Sequence, residues 1–162
     1  MNKTITPSKL YKLNLAAGFL HLVQAIVVLV VSKSFTIPVS ANFLAFDDST
    51  QTLQPASTSI FGLSLPLLIA SFFFLSAFFH FFIATVYRKK YESDLKLGIN
   101  RARWIEYSLS ASIMMVAIST LVGVYDFSSL LMIFALTSVM NLMGLVMEVH
   151  NQTTKKNRLA EL

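Results

Sequence analysis

The sequence has no cysteine, which excludes a disulfide frame and thiolate chemistry. Its five glycines form no dinucleotide- or phosphate-binding run. No His-Glu-x-x-His pair, Cys/His metal set or nucleophile elbow occurs either. The enzyme classes that depend on those motifs fall away with them, and we expect no enzyme. Charge is scarce at 13% of residues, and acids number eight against thirteen Lys and Arg. The scarcity that matters most is positional. Twelve of the thirteen bases lie in three groups: Lys3, Lys9 and Lys12; Arg88, Lys89, Lys90, Lys96, Arg101 and Arg103; and Lys155, Lys156 and Arg158. Only Lys33 lies apart. No lysine or arginine interrupts the interior of the long apolar stretches between these groups.

What is abundant is apolar surface. The 162 residues are 55% hydrophobic and their mean hydropathy is +0.65, against about 45–50% apolar for an ordinary soluble domain. Four blocks reach the roughly 20 residues that cross a bilayer: about Leu10–Ser32, Ile60–Tyr87, Ala102–Gly123 and Ser128–His150. They predict one all-α transmembrane domain over residues 1–162, integral to the cell membrane. The first block is too long for a signal-peptide core and no small-residue cleavage site follows it, so we read it as retained. A net charge of +5 would suit nucleic acid, but the grouping of the bases is the positive-inside pattern of a membrane protein. It predicts a cytoplasmic N-terminus, a cytoplasmic C-terminus and a cytoplasmic 2–3 connection. The partner of these faces is the lipid bilayer, not nucleic acid. The sequons at Asn2 and Asn151 then lie inside and stay unmodified.

In helix 1, Asn14, Ala17, His21 and Gln24 recur at spacings of three and four and form one polar stripe. In a membrane such a stripe turns into the bundle. The outer loop from Ser34 to Ser59 has strand-like composition, with Asp47-Asp48-Ser49 as a turn and Thr50-Gln51-Thr52-Leu53 as the start of a return strand, and predicts a β-hairpin. Its apolar edge is a possible dimer contact. Helix 2 holds Phe72-Phe73-Phe74 and Phe78-Phe79-His80-Phe81-Phe82, with Ser76 four residues before His80. Pro66 falls in its first turns, where proline is tolerated. The 3–4 connection, Val124 to Phe127, is so short that its helices must be antiparallel neighbours. Helix 4 carries Asn141, Gly144 and Glu148, the last close enough to the end to reach the headgroups. The segment from Asn151 on is polar and expected to be a mobile tail.

Helix 3 carries the strongest signal. Glu106 lies just inside it, with Ser110 one turn on, and Trp104 and Tyr107 beside it as surfaces against which a ring or polyene would lie. An acid inside a span is a functional hypothesis by default. At 1.5 Å per residue, His21, His80 and Glu106 lie about 16, 12 and 8 Å from the inner ends of their helices. Three titratable groups on three helices thus share the inner half of the bilayer. They can hold a buried cation against Glu106, with the histidines, Ser76, Ser110 and Gln24 arranging protons and water. Two histidines and a glutamate also form a conceivable metal set, but their unequal depths disfavour it.

The runs Ala17-Gly-Phe-Leu-His-Leu-Val-Gln24, Leu75-Ser-Ala-Phe-Phe-His80 and, above all, Arg103-Trp-Ile-Glu-Tyr-Ser-Leu-Ser110 resemble the N-terminal part of heliorhodopsins, membrane photoreceptors that bind retinal. The resemblance covers nearly the whole chain. It implies a seven-helix rhodopsin-like bundle of which these are the first four helices. It makes Glu106 the counterion of the protonated retinal Schiff base. It places His21, His80, Gln24 and Ser76 in the polar cavity beside that group. It makes Asn14, Tyr91, Asn100 and Glu148 a further polar cluster near the cytoplasmic side, and it lays Met140 and Gly144 along the chromophore. It also implies light-driven signalling rather than ion pumping, and a homodimer. The lysine that binds retinal is on the seventh helix of that family, so we expect the remaining helices from a longer chain or a second one. Two other readings compete. One is a four-helix proton-relay channel or transporter subunit. The other is a structural assembly protein without retinal, whose polar cluster only joins helices.

Overall fold

The structure, a computed structural model, describes residues 7–160. Lys3 and the Asn2 sequon lie outside the described residues, as do the side chains of Lys155, Lys156 and Arg158. In chain order the elements are α1 (Pro7–Val31), β1 (Thr36–Asp47), β2 (Thr52–Ser64), α2 (Leu65–Ala84), α3 (Arg88–Lys96), α4 (Arg101–Leu121) and α5 (Phe127–Ala160). α1, α2, α4 and α5 contain stretches long and apolar enough to cross a membrane. They pack as an open arc: α2 lies between α1 and α4, and α4 between α2 and α5.

The arc is held by the few small and polar residues that these apolar helices carry. α1 turns Asn14, Gly18 and Ala25 inward and leaves Leu13, Leu20, Val23, Val27 and Val30 exposed, the surface a span offers to lipid. Gly18 sits against the edge of Phe81, where an added Cβ would come within 2.9 Å of Cε1. α4 buries Ser108, Ser112, Ala117 and Thr120. Three of these hydroxyls return to the helix's own carbonyls: Ser108 donates to Ile105 O, Ser112 to Ser108 O and Thr120 to Ala117 O. They therefore present small, satisfied surfaces to their neighbours.

The expected hairpin is present and longer than its turn signals alone suggest. β1 and β2 pair antiparallel from Thr36↔Ser64 to Asp47↔Thr52, with a bulge where Val39 and Ser40 face Phe61 and Ser59. At the turn the Asp47 carboxylate accepts from Ser49 N and from its hydroxyl, and Gln51 takes a positive φ of 52°. The hairpin is tied to the α4–α5 connection. Ser40 N donates to Tyr125 O at 2.9 Å and Asn42 Nδ2 to Asp126 Oδ1 at 3.1 Å. Asp126 also caps α5, accepting from Ser129 N at 2.8 Å. These bonds, Ser129 N foremost, hold its carboxyl below the usual value.

Three boundaries differ from the sequence expectation. α2 begins at Leu65, not near Ile60, because Ile60–Ser64 belong to β2; Pro66 thereby falls in the first turn, where its missing N–H costs nothing. The 2–3 connection contains a helix, α3, held by the i,i+4 pairs Arg88–Glu92 at 2.9 Å and Lys90–Asp94 at 3.2 Å. The segment after Asn151 is not a loose tail within the described residues: α5 continues to Ala160. Arg88 lies 4.7 Å over the ring of Tyr11 and Gln152 lies beside Gly98. The start of α1, all of α3 and the far part of α5 therefore meet at one end of the arc, opposite the hairpin.

Candidate functional site

Between α1, α2 and α4 lies a partly open cavity of about 560 Å³. Each helix supplies one stripe at turn spacing: Asn14 and His21 from α1, Phe72, Ser76, His80 and Ile83 from α2, and Arg103, Glu106, Ser110 and Met114 from α4. Tyr91 of α3 and Asn100 close it towards the α3 end. The helices thus bring His21, His80, Glu106, Ser76, Ser110, Asn14, Tyr91, Asn100 and Tyr107 to one space. All of the inner cluster but Gln24, and all of the further polar cluster but Glu148, share one cavity.

Glu106 is only 7% exposed, and Ser76 of α2 faces its carboxylate. No salt bridge reaches it among the described residues. The two histidines stack, with ring centroids 5.5 Å apart at 14°, and Phe73 lies on the other side of His21 at 6.0 Å. Asn14 Nδ2 donates to Leu10 O at 3.1 Å, which turns its amide oxygen towards His80 Nδ1, 3.0 Å away. An amide oxygen only accepts, so His80 carries its proton on Nδ1. Gln24 Oε1 does the same for His21 Nδ1 at 2.9 Å. Both rings are therefore left with a basic Nε2.

The other sequence candidates lie elsewhere. Gln24 touches His21 but is not on the cavity wall. Trp104 turns away from the cavity. Its indole Nε1 donates to Glu148 Oε2 at 2.7 Å, and its ring lies on Gly144 of α5. Met140 is 65% exposed. Trp104, Met140, Gly144 and Glu148 therefore belong to the α4–α5 side of the arc, not to the Glu106 cavity. Glu148 is no free headgroup acid, because Asn100 N and Arg103 Nη2 donate to it as well, at 2.9 and 3.1 Å.

Phe72, Ile83, Arg103, Ala111, Met114 and Met115 also line the cavity and were not singled out from the sequence. The i, i+4, i+8 series from Glu106 through Ser110 to Met114, and the series from Phe72 through Ser76 to His80, contained that signal. The wall they add is mostly apolar beside a single carboxylate. The volume lies in the range of roughly 300–1,000 Å³ typical of ligand sites.

Four apolar helices, three of them around a buried acid and a histidine pair, are those of a multi-span membrane protein. The family model for heliorhodopsin matches residues 10–161, and the chain belongs to the heliorhodopsin family. A search of curated proteins gives no match. Heliorhodopsins generally bind retinal and are not in general enzymes.

Proposed function

We propose that the chain is the first part of a retinal-binding photoreceptor in which Glu106 is the counterion and the His21–His80 pair takes up a displaced proton. The observation that supports this most is Glu106, buried without a cationic partner among the described residues, on the wall of a cavity that also holds two basic ring nitrogens. When bound, retinal supplies a cationic nitrogen and a light-driven change of shape. Glu106 would hold that cation by charge in a low-dielectric site. Phe72, Tyr107, Met114 and Met115 would exclude water from its apolar length. Ser76 and Ser110 would orient the carboxylate, while Asn14 and Gln24 keep the histidines in the tautomer that accepts at Nε2. The covalent lysine would come from outside these four spans. Family resemblance favours signalling over ion pumping, and the apolar hairpin suits a homodimer. The grouping of the bases favours a cytoplasmic N-terminus.

The test is Glu106→Gln in the retinal-loaded full-length protein. A counterion stabilises the ground-state cation more than the excited state, in which charge spreads along the polyene. Its loss should therefore shift absorption to the red, or lower the pH at which the chromophore loses its proton, because the anion favouring the charged form is gone. A spectrum and a titration equal to the parent's would remove Glu106 from this role. Replacing His21 or His80 should change colour less and proton uptake more.

A further inference from the structure

The N-terminus of α4 has half of a capping box. Asn100, the N-cap, accepts from Arg103 N through its side chain at 3.1 Å. In a complete box the N3 residue is Glu or Gln and returns an acceptor to the N-cap N–H. Here N3 is Arg103, which has no acceptor. The missing half comes from another helix: Glu148 of α5 accepts from Asn100 N at 2.9 Å. The same oxygen accepts from Trp104 Nε1 at 2.7 Å, and the second oxygen from Arg103 Nη2 at 3.1 Å. Three donors from one turn of α4 converge on one carboxylate, at the helix end where the macrodipole favours negative charge.

Glu106 stands six residues beyond that N-cap, about 9 Å along the helix. We propose that Glu148 is a positioning residue: by completing the α4 cap from α5 and holding Arg103, it sets the height and the freedom of Glu106 in the cavity. This rests on the reading of Glu106 as the functional anion. Two consequences follow from the geometry. Without Glu148 the first turn of α4 loses its outside acceptor and frays. Arg103, which stands three residues before Glu106 on α4, lines the same cavity and has a buried Nε without a partner, then loses its ion pair. Glu148 thus keeps the arginine off the site.

The experiment uses the full-length protein in lipid nanodiscs and needs no retinal. Hydrogen exchange reads the bonded amides of that turn, Asn100, Arg103 and Trp104, and infrared difference against Glu106→Gln reads the Glu106 carboxyl band. Glu148→Ala should speed exchange in that turn by about ten- to a hundredfold, the effect of losing a charged hydrogen bond, and should move the Glu106 band. Glu148→Gln keeps an oxygen for Asn100 N and Trp104 but not the charge that holds Arg103. It should leave exchange near the parent's and still move the band. This second variant keeps the test open if the alanine protein does not fold. Unchanged exchange in Glu148→Ala, or a Glu106 band unmoved in both variants, overturns the proposal, since a mere brace between helices would not alter that band. Failure of the counterion reading is a separate result. In that case the Glu106→Gln pigment keeps its colour while the Glu148 variants still shift the carboxyl band.

Discussion

Gly144→Ala should be costly although it adds one methyl group. A Cβ at Gly144 would stand 2.7 Å from Cη2 and 2.8 Å from Cε3 of Trp104, well inside van der Waals contact. Trp104 cannot back away freely, because Arg103 lies 4.6 Å over its ring and its Nε1 is bound to Glu148. Overpacking of this kind costs about 1–3 kcal/mol. Displacing the indole also loses a hydrogen bond to a charged group, about 1.5–3 kcal/mol. Alanine's better helix propensity returns about 1 kcal/mol. The net loss is about 1.5–5 kcal/mol, or roughly 3–20 °C in melting temperature for a chain of this size. Trp104 is the single tryptophan, so its emission reports the displacement without a label. In a Trp104→Phe background the same substitution should cost less, and the difference is the coupling energy of the pair. A Gly144→Ala protein with the parent's melting temperature and emission would refute the close approach of Trp104 to α5.

Asp126 gives a pH dependence at the hairpin end. Its folded value lies below the usual 3.8, so its contribution is complete above that unfolded value and is lost as pH falls through the lowered one. Proteolysis of the hairpin should accelerate only in strong acid, whereas Asp126→Asn should be cut faster already at neutral pH; equal cleavage of parent and variant at neutral pH would count against the junction. The 162-residue chain given all-trans retinal should stay colourless in the visible, having no lysine inside a span; a visible band abolished by hydroxylamine would contradict this. Cysteines placed at the exposed Ser49 and Ser93 should react with impermeant reagents from opposite faces of the membrane, Ser93→Cys from the cytoplasmic one. Labelling of both from one face would overturn the topology.

The hairpin and the spans were legible because each has its own period or length. The start of α2 was not, because Ile60 to Leu63 are apolar enough to serve as strand or helix; the proline at 66 was the better marker. α3 was hidden because Arg88, Lys89 and Lys90 read as topology charges, although Arg88–Glu92 and Lys90–Asp94 are also helix-forming pairs. The far end of α5 was missed because hydropathy marks where a helix leaves the bilayer, not where it stops. In the site, depth along the spans put Glu106, His21 and His80 at similar heights, and all three line the cavity. Rotation was the harder problem. Trp104 and Tyr107 are neighbours on one helix, yet the first faces α5 and the second the cavity. Spacing alone does not say where the boundary between two packing faces falls.

That boundary runs through Arg103. The residue lines the cavity three positions before Glu106, yet its guanidinium pairs with Glu148 and lies over the Trp104 ring. An arginine paired to Glu106 would satisfy the buried acid and also cancel it. Held by Glu148, the arginine leaves Glu106 without a cation among the described residues, and a buried unpaired carboxylate is costly. Ser76 of α2 softens that cost but carries no charge. The arginine on the cavity wall is thus held in the α4–α5 contact, an arrangement that the proposed counterion role of Glu106 requires. For the same reason Arg103→Gln should loosen the α4–α5 contact without adding charge to the cavity, whereas Glu148→Ala should do both.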